Sequence, residues 1–101
     1  MADIEIQRAH TLGLAKARDI ALQWQREAEA DWGMDCTYVS NETNEQGELQ
    51  DRLIFERPGA SGYLCVTATQ LKMSLALGFL MAPFKGKIEE KICSNLDALL
   101  A

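Results

Sequence analysis

Residues 71–100 read LKMSLALGFLMAPFKGKIEEKICSNLDALL, and a change of period inside this stretch decides the fold. Leu71, Met73, Leu75 and Leu77 alternate with Lys72, Ser74, Ala76 and Gly78. A period of two places the first set on one face of a strand. Pro83 then opens a different pattern, because its missing amide hydrogen costs nothing in a first helical turn. Phe84, Ile88, Ile92, Leu96 and Leu99 or Leu100 recur at helical spacing, while Lys85, Lys87, Glu89, Glu90 and Lys91 mostly take the other faces. A one-faced strand followed by a one-striped helix requires a sheet with helices laid on it.

Working outward, alternation and composition predict the remaining strands. Gly62 to Ala68 is apolar and β-branched, with Thr69-Gln70 as a brief turn before Leu71. Pro58-Gly59 suits the two central positions of a tight turn. Residues 49–57 place Leu53 and Phe55 on one side and Arg52, Ile54 and Glu56 on the other. Asn41 to Glu48, polar and acidic with Gly47, reads as a hairpin loop, and Met34, Cys36 and Tyr38 alternate with Asp35, Thr37 and Val39 ahead of it. Upstream, Leu14, Ala17, Ala21, Trp24 and Ala28 form one helical face within residues 12–32, with Arg18, Gln25 and Arg26 largely off it. Thr11 is the expected cap of this helix and Gly33 its left-handed stop. Ile4 and Ile6 alternate with Asp3, Glu5 and Gln7 in a first short strand. The expected order is β-α-β-β-β-β-α in a single α+β domain spanning residues 1–101. Its antiparallel sheet of about five strands has both helices on one face, like a reduced helix-grip fold.

Composition narrows the function. A net charge of −5, from 10 Lys+Arg against 15 Asp+Glu, disfavours nucleic acid, whose binding needs a basic surface. Cys36, Cys65 and Cys93 stand far apart, outside any paired metal-ligand spacing, in apolar patterns that suit reduced core thiols in a reducing compartment. The acidic start, Met1-Ala2-Asp3-Ile4-Glu5, lacks the basic and apolar regions of a signal peptide. Leu71 to Phe84 is too short and interrupted to span a bilayer. The expected location is cytoplasmic, and a homo-oligomer is compatible with the sequence.

No catalytic, cofactor or metal site is read from the residues. His10 is the single histidine and fits a capping or packing role at a strand-to-helix junction. Ser61 in Gly59-Ala60-Ser61-Gly62 is followed by a strand, whereas a nucleophile elbow needs a helix there. Glu27 with Asp31, and Glu89 with Glu90, read as solvated helix surface. The remaining feature is Phe79-Leu80-Met81-Ala82-Pro83-Phe84, followed by Lys85, Gly86 and Lys87. Strand alternation points Phe79 inward and helical phase points Phe84 inward, leaving Leu80, Met81 and Ala82 without a periodic reason for burial. A buried corner is the simpler reading for most of these residues. The sharper one makes Phe79, Leu80, Met81, Lys85 and Lys87 an interaction patch.

Several segments together resemble the polyhydroxyalkanoic acid system family of bacterial polyester-granule gene regions. They are Ile4-Glu5-Ile6 with His10, Leu12 and Gly13; Ala17-Arg18; Phe55, Arg57, Gly59 and Gly62; and above all Leu75 through Ile92, continuing to Leu96-Asp97-Ala98-Leu99-Leu100. The resemblance covers nearly the whole chain, is weakest over residues 34–50, and carries no active site. It implies a bacterial protein connected with polyhydroxyalkanoate storage, at or near granules. With no active site read from the residues, the leading expectation is a non-enzymatic accessory protein partnered by granules or granule proteins. The alternative is a small apolar-ligand binder of acyl type, with a cavity between the C-terminal helix and the sheet. The thiol reading is checked by metal analysis and mass spectrometry of protein purified under cellular redox conditions. Three free thiols and no stoichiometric zinc are expected; bound zinc or a Cys–Cys bridge overturns it.

Overall fold

The alternating segments become strands and the two stripes become helices in the computed structural model, which describes residues 3–100. Met1 and Ala2, part of the start read above for a signal peptide, lie outside them. The elements are β1 (Ile4–Ala9), α1 (Leu14–Trp32), β2 (Asp35–Thr43), β3 (Leu49–Arg57), β4 (Ala60–Val66), β5 (Gln70–Leu77), a 3-10 turn (Ala82–Phe84) and α2 (Lys85–Leu100). The fold is α+β, in the expected order.

The five strands form one sheet, ordered β1-β5-β4-β3-β2, with every neighbouring pair antiparallel. β2 to β5 are the hairpin-connected meander. β1 closes the far side, pairing Ile4 with Leu75 and Ile6 with Met73. The two edges, β1 and β2, therefore run parallel, and only a crossover can join them. α1 supplies it. Four strand spacings measure about 19 Å, and a helix of 19 residues is about 28 Å long, enough to cross the sheet obliquely.

The buried stripe of α1 is Ala17, Ala21, Trp24 and Ala28. Three alanines let the helix sit close, and Trp24 fills the space, its ring centroid 4.9 Å from that of Phe55. Ile92 and Leu96 of α2 complete one cluster with Ile4, Ile6, Leu53, Phe55, Leu64, Val66, Leu71, Met73 and Leu75. Both helices thus cover one face of the sheet. The other face carries the alternate residues, in rows such as Thr37-Ile54-Tyr63-Ser74-Glu5 and Val39-Arg52-Cys65-Lys72-Gln7. Gly62 is required by the sheet itself: a Cβ there would lie 2.1 Å from the Ser74 carbonyl oxygen.

Several expectations are corrected at the element ends. Thr11 does not cap α1; Gly13, at φ 83°, precedes Leu14, and among the described residues no side chain caps the start of the helix. His10 organises the approach instead, its Nδ1 accepting the Leu12 amide at 3.2 Å. Gly33 does end α1 in the left-handed conformation, at φ 63°. The loop expected over Asn41–Glu48 is shorter, because β2 continues to Thr43. Asn41 takes a positive φ of 58°, the register shifts between Val39 and Glu42, and pairing resumes as Glu42 with Gln50. This is a bulge, which reads as polar loop in sequence. β4 starts two residues before the expected Gly62 and stops at Val66, so Thr67 to Thr69 make the connection and Gln70 already opens β5, with the Thr67 hydroxyl accepting the Thr69 and Gln70 amides.

Large-to-small changes in this core test the assignment of its faces. Leu75→Ala and Ile92→Ala should each cost about 2–5 kcal/mol, read from urea melts. A loss below about half a kcal/mol would show that these side chains do not pack in the core.

Candidate functional site

The chain leaves the sheet at Gly78, and this residue fixes where the following apolar segment sits. Its amide donates to the Gly59 carbonyl at 2.7 Å, and a Cβ on it would lie 3.3 Å from the Gly59 Cα. The end of β5 is thereby clamped to the Pro58-Gly59 turn. The Gly78 carbonyl then accepts the amides of both Met81 and Ala82, each at 3.0 Å. This tight turn reverses the chain into Pro83 and α2.

The turn holds its large apolar side chains in water. Phe79 is 90% exposed, Leu80 79% and Phe84 54%. The buried-corner reading is therefore overturned, and with it the inward placement of Phe79 and Phe84. Strand alternation stops at Leu77, so it does not reach Phe79. Phe84 lies in a 3-10 turn, whose three residues per turn rotate it off the stripe of Ile88, Ile92 and Leu96. Met81 alone turns back, half-buried, with its Cγ 3.0 Å from where a Cβ on Gly59 would stand. Lys85 and Lys87 are exposed. Residues 79–88 contain these two lysines and no acid, within a chain of net charge −5.

Burial falls along α2 toward this corner. Leu96 and Ile92 are buried, Ile88 is half-buried and Phe84 is exposed. The gradient means that the start of the helix stands away from the sheet. A cleft of about 290 Å³ opens there, walled by Trp32, Met34, Leu75, Leu77, Met81 and Ile88. Arg57, Lys87 and Lys91 also line it, against one acid, Asp31. The Arg57 guanidinium is held in place by donating to the Trp32 carbonyl at 2.7 Å.

A polar cluster that the helical stripe did not suggest lies beneath α1. Asp51 is fully buried, and its carboxylate accepts two bonds from the Arg18 guanidinium, one from the Tyr38 hydroxyl and one from the Asn41 amide. Burial pushes this carboxyl up, but the bonds from Arg18, Tyr38 and Asn41 outweigh it and hold its pKa below the ordinary value. Burial also raises the Tyr38 phenol, reinforced by Asp51. A signal was present: Asp51 shares strand parity with Leu53 and Phe55, so its side chain had to enter the core. With every lone pair engaged, the cluster is an internal tie between α1, β2 and β3.

The thiols are less central than their apolar settings suggest. All three are free and half-buried, and Cys65 stands on the sheet face away from the helices. Burial raises the Cys36 thiol to about 11, with Glu29 and Asp35 adding to the effect. His10 keeps its Nδ1 on the Leu12 amide, and its Nε2 has no hydrogen-bond partner among the described residues.

Fold and site together define a small α+β protein, one sheet face covered and one corner presenting bare apolar side chains beside lysines. The model of the family described as "Putative polyhydroxyalkanoic acid system protein" matches residues 4–100, and the chain belongs to that family. No curated protein and no solved structure matches the chain.

The buried carboxylate gives a pH test. The folded-state pKa of Asp51 is lowered, so its stabilisation is fully present above the unfolded value of about 4 and is lost as pH falls from there through the folded value. Thermal melts should show a loss of stability in that acid window that is smaller in Asp51→Asn. At neutral pH, Tyr38→Phe should cost about 1.5–3 kcal/mol, the scale of a hydrogen bond to a charged group. Identical acid profiles for the wild type and Asp51→Asn would remove Asp51 from this role.

Proposed function

We propose that this protein is a non-enzymatic interaction protein of cytoplasmic polyhydroxyalkanoate storage, docking on the granule surface through the corner at residues 79–84. The observation that carries the reading is the exposure of Phe79 and Leu80, at 90% and 79%. Two adjacent large apolar side chains so fully in water are unfavourable in the free protein, and contact with an apolar surface relieves them. A polyester surface is apolar, and family membership supplies the polyester context. Lys85 and Lys87 add attraction to any anionic coat, as flanking lysines do on interfacial segments. The clamp between Gly59 and Gly78 keeps the corner formed before contact, so little ordering cost attends docking. Among the described residues no helix is long and apolar enough to cross a membrane, and contact at a surface requires none.

Co-sedimentation with isolated granules tests the reading. Phe79→Ser with Leu80→Ser should lower the bound fraction about tenfold or more, from the apolar area no longer buried. Its thermal stability should shift by less than about half a kcal/mol, because both side chains are exposed. A folded double variant that sediments like the wild type removes the corner as the contact.

A further inference from the structure

The cleft beside the corner rests on a separate observation, the lift of the first turns of α2 away from β5. We propose that it binds a single-chain fatty carboxylate of medium length, with the chain between Trp32, Met34, Leu75, Leu77 and Ile88 and the carboxylate at the mouth. Three features select this occupant. The volume of about 290 Å³ falls just below the usual range for small-molecule sites, about 300–1,000 Å³, which fits one short chain and not a two-chain lipid. The walls are aliphatic, aromatic and thioether side chains, which suit a methylene chain. The charges that line it are three bases against one acid, in a chain whose overall balance is the reverse, 10 bases against 15 acids.

The individual charges have defined places. Arg57 follows Leu53 and Phe55 in strand parity, so it projects on the helix side of the sheet, and one guanidinium nitrogen is anchored on the Trp32 carbonyl. Lys87 and Lys91 are four residues apart on α2, hence on one face of the helix, and neither forms an ion pair among the described residues. A carboxylate at the mouth therefore meets unpaired ammonium groups, while the chain behind it replaces water against apolar walls. Ile88, half-buried in the free protein, becomes the side chain that closes over the ligand.

Titration of the full chain with saturated straight-chain carboxylates of four to twelve carbons, each below its micelle concentration, tests this by calorimetry and by tryptophan emission, to which Trp32 at the cleft wall contributes. Affinity should tighten about fourfold per added methylene, then level off once the cleft is full. Alcohols of equal length should bind more weakly. Lys87→Gln with Lys91→Gln should weaken the carboxylates about fivefold, the scale of a partly solvated ion pair, and leave the alcohols unchanged. Ile88→Trp, which fills the cleft from the helix side, should abolish binding without changing granule sedimentation. Phe79→Ser with Leu80→Ser should do the opposite, so this proposal and the docking reading fail separately. No binding of any carboxylate overturns the proposal, as does affinity that climbs with no plateau or equal affinity for acid and alcohol. Binding only to vesicles of anionic phospholipid, with none to the free acids, also overturns it and assigns the basic residues to a lipid surface.

Discussion

An antiparallel sheet with alternating side chains has one face that must leave water, and everything else in this molecule follows from how that face is covered. The strand order puts β1 and β2 at opposite edges. Their connection must therefore travel over the full width of the apolar face, and α1 does both tasks in one element. Close approach is possible because its inward stripe is mostly alanine. The space beside those alanines is taken by Trp24, packed on Phe55 and edge-on to Trp32 at 6.4 Å. α2 covers what remains, resting on Ile92 and Leu96, and the Arg8–Asp97 pair at 2.8 Å links it to β1. Since α1 has already taken much of the face, α2 is seated by its middle turns, and its first turn is left standing over the cleft.

The periodic parts of this arrangement were legible in the sequence. Alternation gave the faces of four of the five strands, including Leu53 and Phe55 against Arg52, Ile54 and Glu56, while β4 was marked by its apolar, β-branched composition alone. Helical spacing gave the buried stripe of α1 and the anchors Ile92 and Leu96. Period fails where the backbone changes type. Asn41 takes a left-handed conformation, and the polar residues of a bulge look like a loop. Extending the strand and the helix past their ends turns Phe79 and Phe84 inward, but the tight turn and the 3-10 turn that hold them follow neither period. Local pattern also says nothing about β1 pairing with β5, because that contact joins residues about seventy positions apart.

The candidate surfaces were only half legible for the same reason. That Leu80, Met81 and Ala82 lacked a periodic cause for burial was visible, and Leu80 is indeed exposed, while Met81 is drawn back by its contact over Gly59. A cavity between the C-terminal helix and the sheet belongs to the alternative reading of the sequence, but its place and lining do not, being products of the angle at which α2 meets the sheet. Asp51 is the instructive intermediate case. Its parity demanded burial, burial of a carboxylate demanded donors, and Arg18 supplied them from the flank of the α1 stripe, where a sequence reading sees only a solvated cation. An inward acid on a strand is thus a cue to search the covering helix for a partner one step off its apolar face.

The bulge at Asn41 has a consequence for how many copies can share a small space. β2 is an edge strand of nine residues, long enough to template growth of the sheet by a second chain. At high local concentration an open edge invites fibres. The register shift between Val39 and Glu42 breaks the run of outward-facing amides and carbonyls. β1, the opposite edge, is only six residues long. Neither border offers a long straight ladder, so the backbone itself discourages polymerisation, and the chain can expose a greasy corner without also seeding aggregates along its edges.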